Sequence, residues 1–150
     1  MFSTPKKHQY AIRAIFELAK HMGSGPIKIS DIARAQAIPK RFLEVILNQL
    51  KGSGLLQSKR GFYGGYRLVV PPEKISVGDI VRHLDKASAS TECLGCESEE
   101  TCPFFGRCAF SPLWARTRKA IFKIYDETTF QDLLENQKRA GRCESVCKNT

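Results

Sequence analysis

The sequence predicts a mainly α-helical chain carrying one small β-hairpin. Three observations predict it. Apolar residues recur with a period of about 3.6 from residue 8 to residue 50. Two strand-like runs, Leu55–Ser58 and Tyr66–Val70, flank a glycine-rich loop. The helical period then returns after Ser76 and again after Ser111.

The elements follow in order. Over residues 8–22 the apolar stripe is Ile12, Ile15, Phe16, Ala19 and Met22, and Gly23-Ser-Gly-Pro26 ends the helix. A second helix is expected to start at Ser30 as N-cap, with Asp31 beside the positive end of the dipole, and to bury Ile32 and Ala33. Pro39 suits the first turn of a third helix, which places Leu43, Ile46, Leu47 and Leu50 on one face. Lys40, Arg41, Glu44 and Asn48 are left on the other, and Gly52 and Gly54 terminate it. The hairpin loop is Lys59-Arg-Gly-Phe-Tyr-Gly-Gly65, and Pro71 and Pro72 close the hairpin. Ser76 caps a fourth helix with Val77, Ile80, Val81 and Leu84 on one stripe. Helix, helix–turn–helix and hairpin in this order describe a winged helix-turn-helix.

The last third differs. Residues 86–110 replace apolar periodicity with cysteine, glycine and acid. Ser111-Pro112 then opens a long helix, Ser as cap and Pro in the first turn, with Leu113, Ala120, Ile121, Ile124 and Tyr125 as its stripe. Such a helix has few partners left in its own chain, which points to dimerisation; folding back onto its own domain is the alternative. Thr129-x-x-Asp132 has the form of a capping box for a short last helix carrying Phe130, Leu133 and Leu134. The resulting division is 1–85 DNA-binding domain, 86–110 cysteine-rich loop, 111–137 dimerisation helix and short last helix, and 138–150 a polar tail.

Composition narrows the function. The chain has 150 residues and a formal charge of +9, so it holds one core and favours polyanions. No apolar run reaches the length of a membrane span, and the start lacks the pattern of a signal peptide, so the expected compartment is the cytoplasm. Between residues 28 and 60 the bases are Lys28, Arg34, Lys40, Arg41, Lys51, Lys59 and Arg60, against only Asp31 and Glu44. The excess falls where a recognition helix and a wing would meet phosphates. Neither a nucleotide-phosphate loop nor a Cys-His-Asp constellation appears, so enzymatic activity is not expected.

All six cysteines lie after residue 92: Cys93, Cys96, Cys102, Cys108, Cys143 and Cys147. Cys93-x2-Cys96-x5-Cys102-x5-Cys108 can converge on one centre. Structural zinc sites usually pair two short knuckles, and only Cys93/Cys96 is one. The wide spacings wrap a larger object, which favours an iron–sulfur cluster over zinc or over redox thiols without metal. Cys143-x3-Cys147 is a reactive pair, a second metal site, or two free thiols.

Several segments together resemble one family. They are His8-Gln-Tyr-Ala-Ile-Arg-Ala14, Ile29-Ser-Asp-Ile-Ala33, Arg41-Phe-Leu-Glu44, Leu47–Leu50, Arg60-Gly-Phe-Tyr-Gly-Gly-Tyr-Arg-Leu68, Ile75-Ser-Val-Gly-Asp-Ile80 and Cys96-x5-Cys102-x5-Cys108. The chain resembles the Rrf-two family of bacterial winged helix-turn-helix transcription regulators, of the cluster-sensing IscR/NsrR type, over about residues 8–135. The resemblance implies a homodimer on double-stranded DNA, at a pseudo-palindromic operator, with long helices crossing near the two-fold axis. It also implies a cluster, 2Fe–2S or 4Fe–4S, on Cys96, Cys102 and Cys108, whose occupancy sets DNA affinity in response to iron, redox state or nitric oxide.

This chain departs from the family pattern at the fourth ligand. Ser111 stands three residues after Cys108, where a histidine can serve, and Gln9 stands before the first-helix tyrosine, where an acid is frequent. Cys93 is the in-chain candidate to replace them. His8, near the terminus, is expected to be solvated. The wing departs too: Phe62-Tyr63 follows Arg60-Gly61, where proline is usual after the glycine. The two rings have two places to pack, the sugar–phosphate backbone or the hairpin, and the hairpin is the expected one.

The expected DNA-contacting set is Lys28, Ser30, Lys40, Arg41, Glu44, Lys51, Lys59, Arg60, Gly64, Gly65 and Tyr66. Arg41 suits guanine by its bidentate fork, and Lys28, Lys51 and Lys59 suit phosphates. Arg60 suits the minor groove, and the glycines suit close approach to a backbone. By resemblance, Glu44 discriminates sequence. The alternative is a regulator of the same fold without a cluster, controlled by a protein partner or thiol oxidation, or with a structural zinc.

Overall fold

The computed structural model describes residues 5–87 and 104–140. In those residues the order is α1 (Lys6–Lys20), α2 (Ile29–Gln36), α3 (Lys40–Lys51), β1 (Leu56–Lys59), β2 (Gly65–Leu68), α4 (Val77–Ala87), α5 (Ser111–Glu127) and α6 (Phe130–Ala140). The first helix starts and stops two residues earlier than the stripe suggests, which leaves Met22 exposed beyond its end.

α1 is the central element, because α2, α3, α4 and α6 all pack on it. It buries Ala11, Ala14, Ile15, Leu18 and Ala19, and the three alanines leave room for several helices to approach. Glu17 is buried among them, and its carboxylate accepts hydrogen bonds from Gln36 Nε2 at 2.6 Å and Lys20 Nζ at 3.1 Å. A buried carboxylate is tolerable only with such partners.

The turn between α2 and α3 is Ala37-Ile38-Pro39. Ala37 adopts left-handed φ of 51°, and the Ile38 N–H donates to the Ala33 carbonyl at 2.9 Å. That is a Schellman closure, with Ile38 buried as its apolar contact. Pro39 stands at the cap position of α3 rather than within its first turn. Leu43, Ile46, Leu47 and Leu50 are buried, as their spacing predicts.

Ser30 is not the cap of α2. The helix begins at Ile29, with Lys28 in extended conformation at the cap position. Long-range pairing is the reason: the Ile27 N–H donates to the Tyr66 carbonyl at 2.9 Å, and the Tyr66 N–H donates back at 2.8 Å. This bridge holds the chain extended up to Lys28 and adds a third, one-residue strand to the hairpin. β1 and β2 pair antiparallel, Leu56 opposite Leu68 and Lys59 opposite Gly65.

Ser76-x-x-Asp79 and Thr129-x-x-Asp132 both form capping boxes. Asp79 N–H donates to Ser76 Oγ at 3.1 Å, while Ser76 N–H donates to Asp79 Oδ2 at 2.9 Å. The second box repeats this at 3.1 and 2.8 Å. The two boxes lie side by side, since Val77 N–H donates to Thr128 O and Phe130 N–H donates to Ile75 O. Phe130 is fully buried there and anchors α6 to the core.

At α5 the cap position is Phe110, in helical conformation, so Ser111 is the first helical residue and makes no side-chain cap. None of the residues of α5 is buried; Leu113 and Ile124 stand exposed along its stripe. α6 runs on to Ala140, so residues 138–140 are helical rather than tail. His8 is mostly covered rather than solvated, its Nε2 donating to Asp85 Oδ1 at 2.9 Å. No helix among the described residues is long and apolar enough to cross a membrane.

Candidate nucleic-acid interface

The outward side of α3 follows from its buried side. With Leu43, Ile46, Leu47 and Leu50 locked inward, the helical period turns Lys40, Arg41, Glu44, Val45 and Asn48 toward solvent, and all five are exposed. Phe42 is also exposed, 6.3 Å between ring centroids from Tyr10 of α1. Val45 and Phe42 were not among the candidates by charge. Their positions opposite the buried quartet are the signal that finds them.

The hairpin stands beside this helix and the start of α2, with one cation over a ring at each. Lys51 Nζ, at the end of α3, lies 5.2 Å from the centre of the Tyr66 ring. Lys28 Nζ, just before α2, lies 4.9 Å from the centre of the Phe62 ring. Each contact brings a positive charge to the hairpin while holding a long side chain in one place. Lys59 and Arg60 are exposed at the end of β1. Lys28 and Lys51 thus lie against rings of the hairpin, Lys59 and Arg60 stand on the hairpin itself, and α3 carries Lys40, Arg41 and Glu44 on its own face. Ser30 is exposed in the first turn of α2.

Gly64 and Gly65 are required for a reason inside the chain. A Cβ on Gly64 would strike the Lys59 carbonyl oxygen, and one on Gly65 would strike the Ile27 carbonyl. The close approach is therefore between the loop and its own neighbours. Tyr66 likewise spends its backbone on Ile27 and its ring on Lys51. Phe62 and Tyr63 do not pack on the hairpin as expected. They meet edge to face, centroids 5.1 Å apart, and are 78% and 82% exposed.

Behind α3, α4 carries the connection to α5. His83 Nε2 donates to the Gln49 carbonyl at 2.9 Å, and Arg82 Nη1 donates to Asp126 Oδ1 at 2.6 Å. Asp79 accepts from the other arm of Arg82 at 3.2 Å. Partial burial opposes ionisation of Asp79, but the Ser76 N–H and hydroxyl and the Arg82 guanidinium outweigh it and hold its carboxyl below the ordinary aspartate range. The Asp126 hydrogen bond, helped by Asp79, raises the Arg82 value in turn.

Of the expected metal ligands, Cys108 is described: a half-buried free thiol just before α5, whose carbonyl accepts from the Ser111 N–H at 3.2 Å. Cys93, Cys96 and Cys102, and also Cys143 and Cys147, lie outside the described residues. Among the described residues no three metal-ligating side chains converge.

Comparison with known proteins bears on the fold. A family model described as Rrf2, iron-dependent transcriptional regulator, matches residues 4–136. The HTH-type transcriptional regulator CymR of Bacillus subtilis is 37% identical over 127 residues, spanning 85% of this chain and 86% of that protein. The structure of T. potens IscR superposes with a TM-score of 0.75 at 30% identity, covering 93% of this chain and 90% of the other. The oxidized form of Staphylococcus aureus CymR superposes at 0.66 with 34% identity, covering 88% and 95%.

Proposed function

The chain belongs to the Rrf2 family of transcriptional regulators, and from that premise we propose that it is a homodimeric repressor whose hold on DNA is set by an iron–sulfur cluster. The family acts in transcription and is not enzymatic. The observation that carries the DNA part is the exposed basic face of α3 standing beside a wing that holds Lys28 and Lys51 in place over aromatic rings.

In this reading α3 enters the major groove, with Lys40 and Arg41 at its leading end. Arg41 reads guanine through its two-pronged donor set, and Glu44 accepts from a cytosine amine or repels the wrong base. Lys28, Lys51 and Lys59 meet phosphates, Arg60 enters the flanking minor groove, and Ser30 at the start of α2 faces the backbone. Gly64, Gly65 and Tyr66 give the wing its shape. Two copies joined along the uncovered stripe of α5 present two such surfaces to the halves of a pseudo-palindrome.

Residues 1–85 then form the DNA-binding unit, 86–110 the cysteine segment, and 111–137 the dimerisation part. The donor set fits a cluster: Cys93, Cys96, Cys102 and Cys108 offer soft sulfur, and Cys108 sits half-buried beside the positive end of α5, which suits an anionic group. Cys96, Cys102 and Cys108 would hold the cluster, 2Fe–2S or 4Fe–4S, and Cys93 would complete the set. When bound, such a group supplies sensitivity to oxygen, nitric oxide and iron supply. The chain's own part is mechanical: Cys108 precedes α5 directly, α5 is tied to α4 by Arg82–Asp126, and α4 touches the end of α3 through His83.

A second reading has its own support in the likeness to a CymR structure described as an oxidized form. Here the cysteines act as thiols, without a cluster, and their oxidation or a protein partner sets DNA affinity. One experiment separates the two. The full chain is purified without oxygen, and iron, sulfide and visible absorption are measured on the same sample. Iron and sulfide in matching amounts, with DNA binding that changes on exposure to oxygen or nitric oxide, support the cluster. A colourless protein after attempted reconstitution overturns it and leaves the thiol reading.

A further inference from the structure

Phe62 and Tyr63 are out of place for a water-soluble loop. They are the two most exposed of the large apolar and aromatic side chains described, at the turn that follows Arg60. Tyr63 has a hydroxyl for water, but Phe62 has none. Their edge-to-face contact and the Lys28 ammonium 4.9 Å over the Phe62 ring give them one arrangement instead of many. A pair of rings already held before binding loses little conformational entropy on binding.

The surroundings say what covers them. Lys28 lines, with Phe62, Tyr63 and His21, a cleft of about 500 Å³, and Lys59 and Arg60 precede the two rings in the same loop; among the described residues Asp31 is the one carboxylate of that lining. Rings framed by cations fit a partner that is polyanionic outside and apolar within. The minor groove of duplex DNA is such a surface: phosphates line its rims and deoxyribose carbons form its walls.

We propose that Phe62 and Tyr63 form an apolar wedge that packs against minor-groove deoxyriboses flanking each recognition site, with Lys28 holding the Phe62 ring in its binding pose. This rests on the DNA-binding reading above and assigns a second kind of contact to the wing. The charges bring the wing to the phosphates, and the rings add affinity that does not depend on counterion release.

The test uses the full chain isolated without oxygen. A double-stranded DNA that it binds is first selected from a random-sequence library. Affinity is then measured across a salt series for the unaltered chain, Phe62→Ala, Tyr63→Ala, the double variant and Arg60→Ala, with hydroxyl-radical footprints of each complex. The double variant is expected to bind roughly tenfold more weakly with the same salt slope, and to lose sugar protection only in the flanks. Arg60→Ala is expected to lower the slope as well. Both rings are exposed, so the thermal midpoint of the double variant should match the parent and exclude unfolding as the cause. Unchanged affinity and flanking protection in the double variant overturn the wedge and leave DNA binding standing. Failure of the unaltered chain to select any duplex overturns both.

Discussion

Arg82 Nη1 meets Asp126 Oδ1 at 2.6 Å, joining the middle of α4 to the last turn of α5. A Cβ at Gly78 would occupy the place of the Asp126 carboxylate, so the glycine lets the two helices come this close. Both side chains are more than two-fifths exposed, so the pair itself is worth less than about 1 kcal/mol. Asp126→Ala is therefore expected to lower unfolding stability by no more than that, measured by urea titration. If α5 transmits its state through this contact, DNA affinity falls several-fold in the same variant. Affinity that stays put assigns Arg82 to the surface alone.

Gly65→Ala should be far more harmful than its small size suggests. The added methyl would have to displace the Ile27 backbone, breaking the two hydrogen bonds with Tyr66. The expected cost is about 2–4 kcal/mol, together with loss of DNA binding. Gly61→Ala, where a Cβ meets open space and only the positive φ of 106° is strained, should cost about 1 kcal/mol. Denaturant midpoints of the two variants check the ordering.

Phe130→Ala removes a fully buried ring of the core at the start of α6. A loss of about 3–5 kcal/mol is expected, which consumes much of the stability of a domain this size. Circular dichroism during thermal unfolding would show it as a fall in midpoint, with α6 melting first if the helix holds on only through this residue.

Acid should act through the two capping boxes. Asp79 is held below the ordinary aspartate range by Ser76 and Arg82 against a partial-burial effect, and Asp132 by the hydroxyl and N–H of Thr129. A carboxyl with a lowered folded value contributes stability above its unfolded value, near about 4, and loses it as pH falls through the folded value. The stability curve should thus be flat with respect to these groups from neutral pH to about 5 and fall below about 4. The double variant Asp79→Asn, Asp132→Asn is expected to reduce that acid-side slope. An unchanged slope would rule the boxes out as its source.

Cys93→Ala and Cys102→Ala should lose iron and visible absorption to the same degree if Cys93 is the fourth ligand. Cluster content is measured after identical anaerobic reconstitution. A Cys93→Ala protein with an unaltered spectrum would assign the fourth position elsewhere, while Cys102→Ala would still lose its cluster.

Much of the fold was legible locally. The buried quartet of α3 and the stripe of α4 follow from the helical period, and both capping boxes follow from a hydroxyl residue spaced three before an acid. Ser30 and Ser111 are also hydroxyl residues at helix starts, but Ala33 and Trp114 stand where the boxes have an acid, and neither serine caps. A cap needs its own backbone outside the helix. Ile27, paired with Tyr66, decides that at α2, and the turn from Cys108 to Ser111 decides it at α5. The basic character of the site was visible in composition, but the grouping of Lys28 with Phe62 and Lys51 with Tyr66 was not. The cluster rests on the cysteine spacing together with the family resemblance, since of those four residues only Cys108 is described.

Local sequence suffices for the order of helices and hairpin, the buried faces, two of the helix starts and the basic face of the third helix. These depend on interactions between residues three or four apart, which any reader of the chain can line up. Tertiary structure alone decided that Glu17 is buried against Gln36, that Gly65 must be bare beside Ile27, that His8 holds Asp85, and that Phe62 and Tyr63 stand out into solvent. Each of these turns on what distant segments bring to the same place, and periodicity along one segment carries no information about its neighbour.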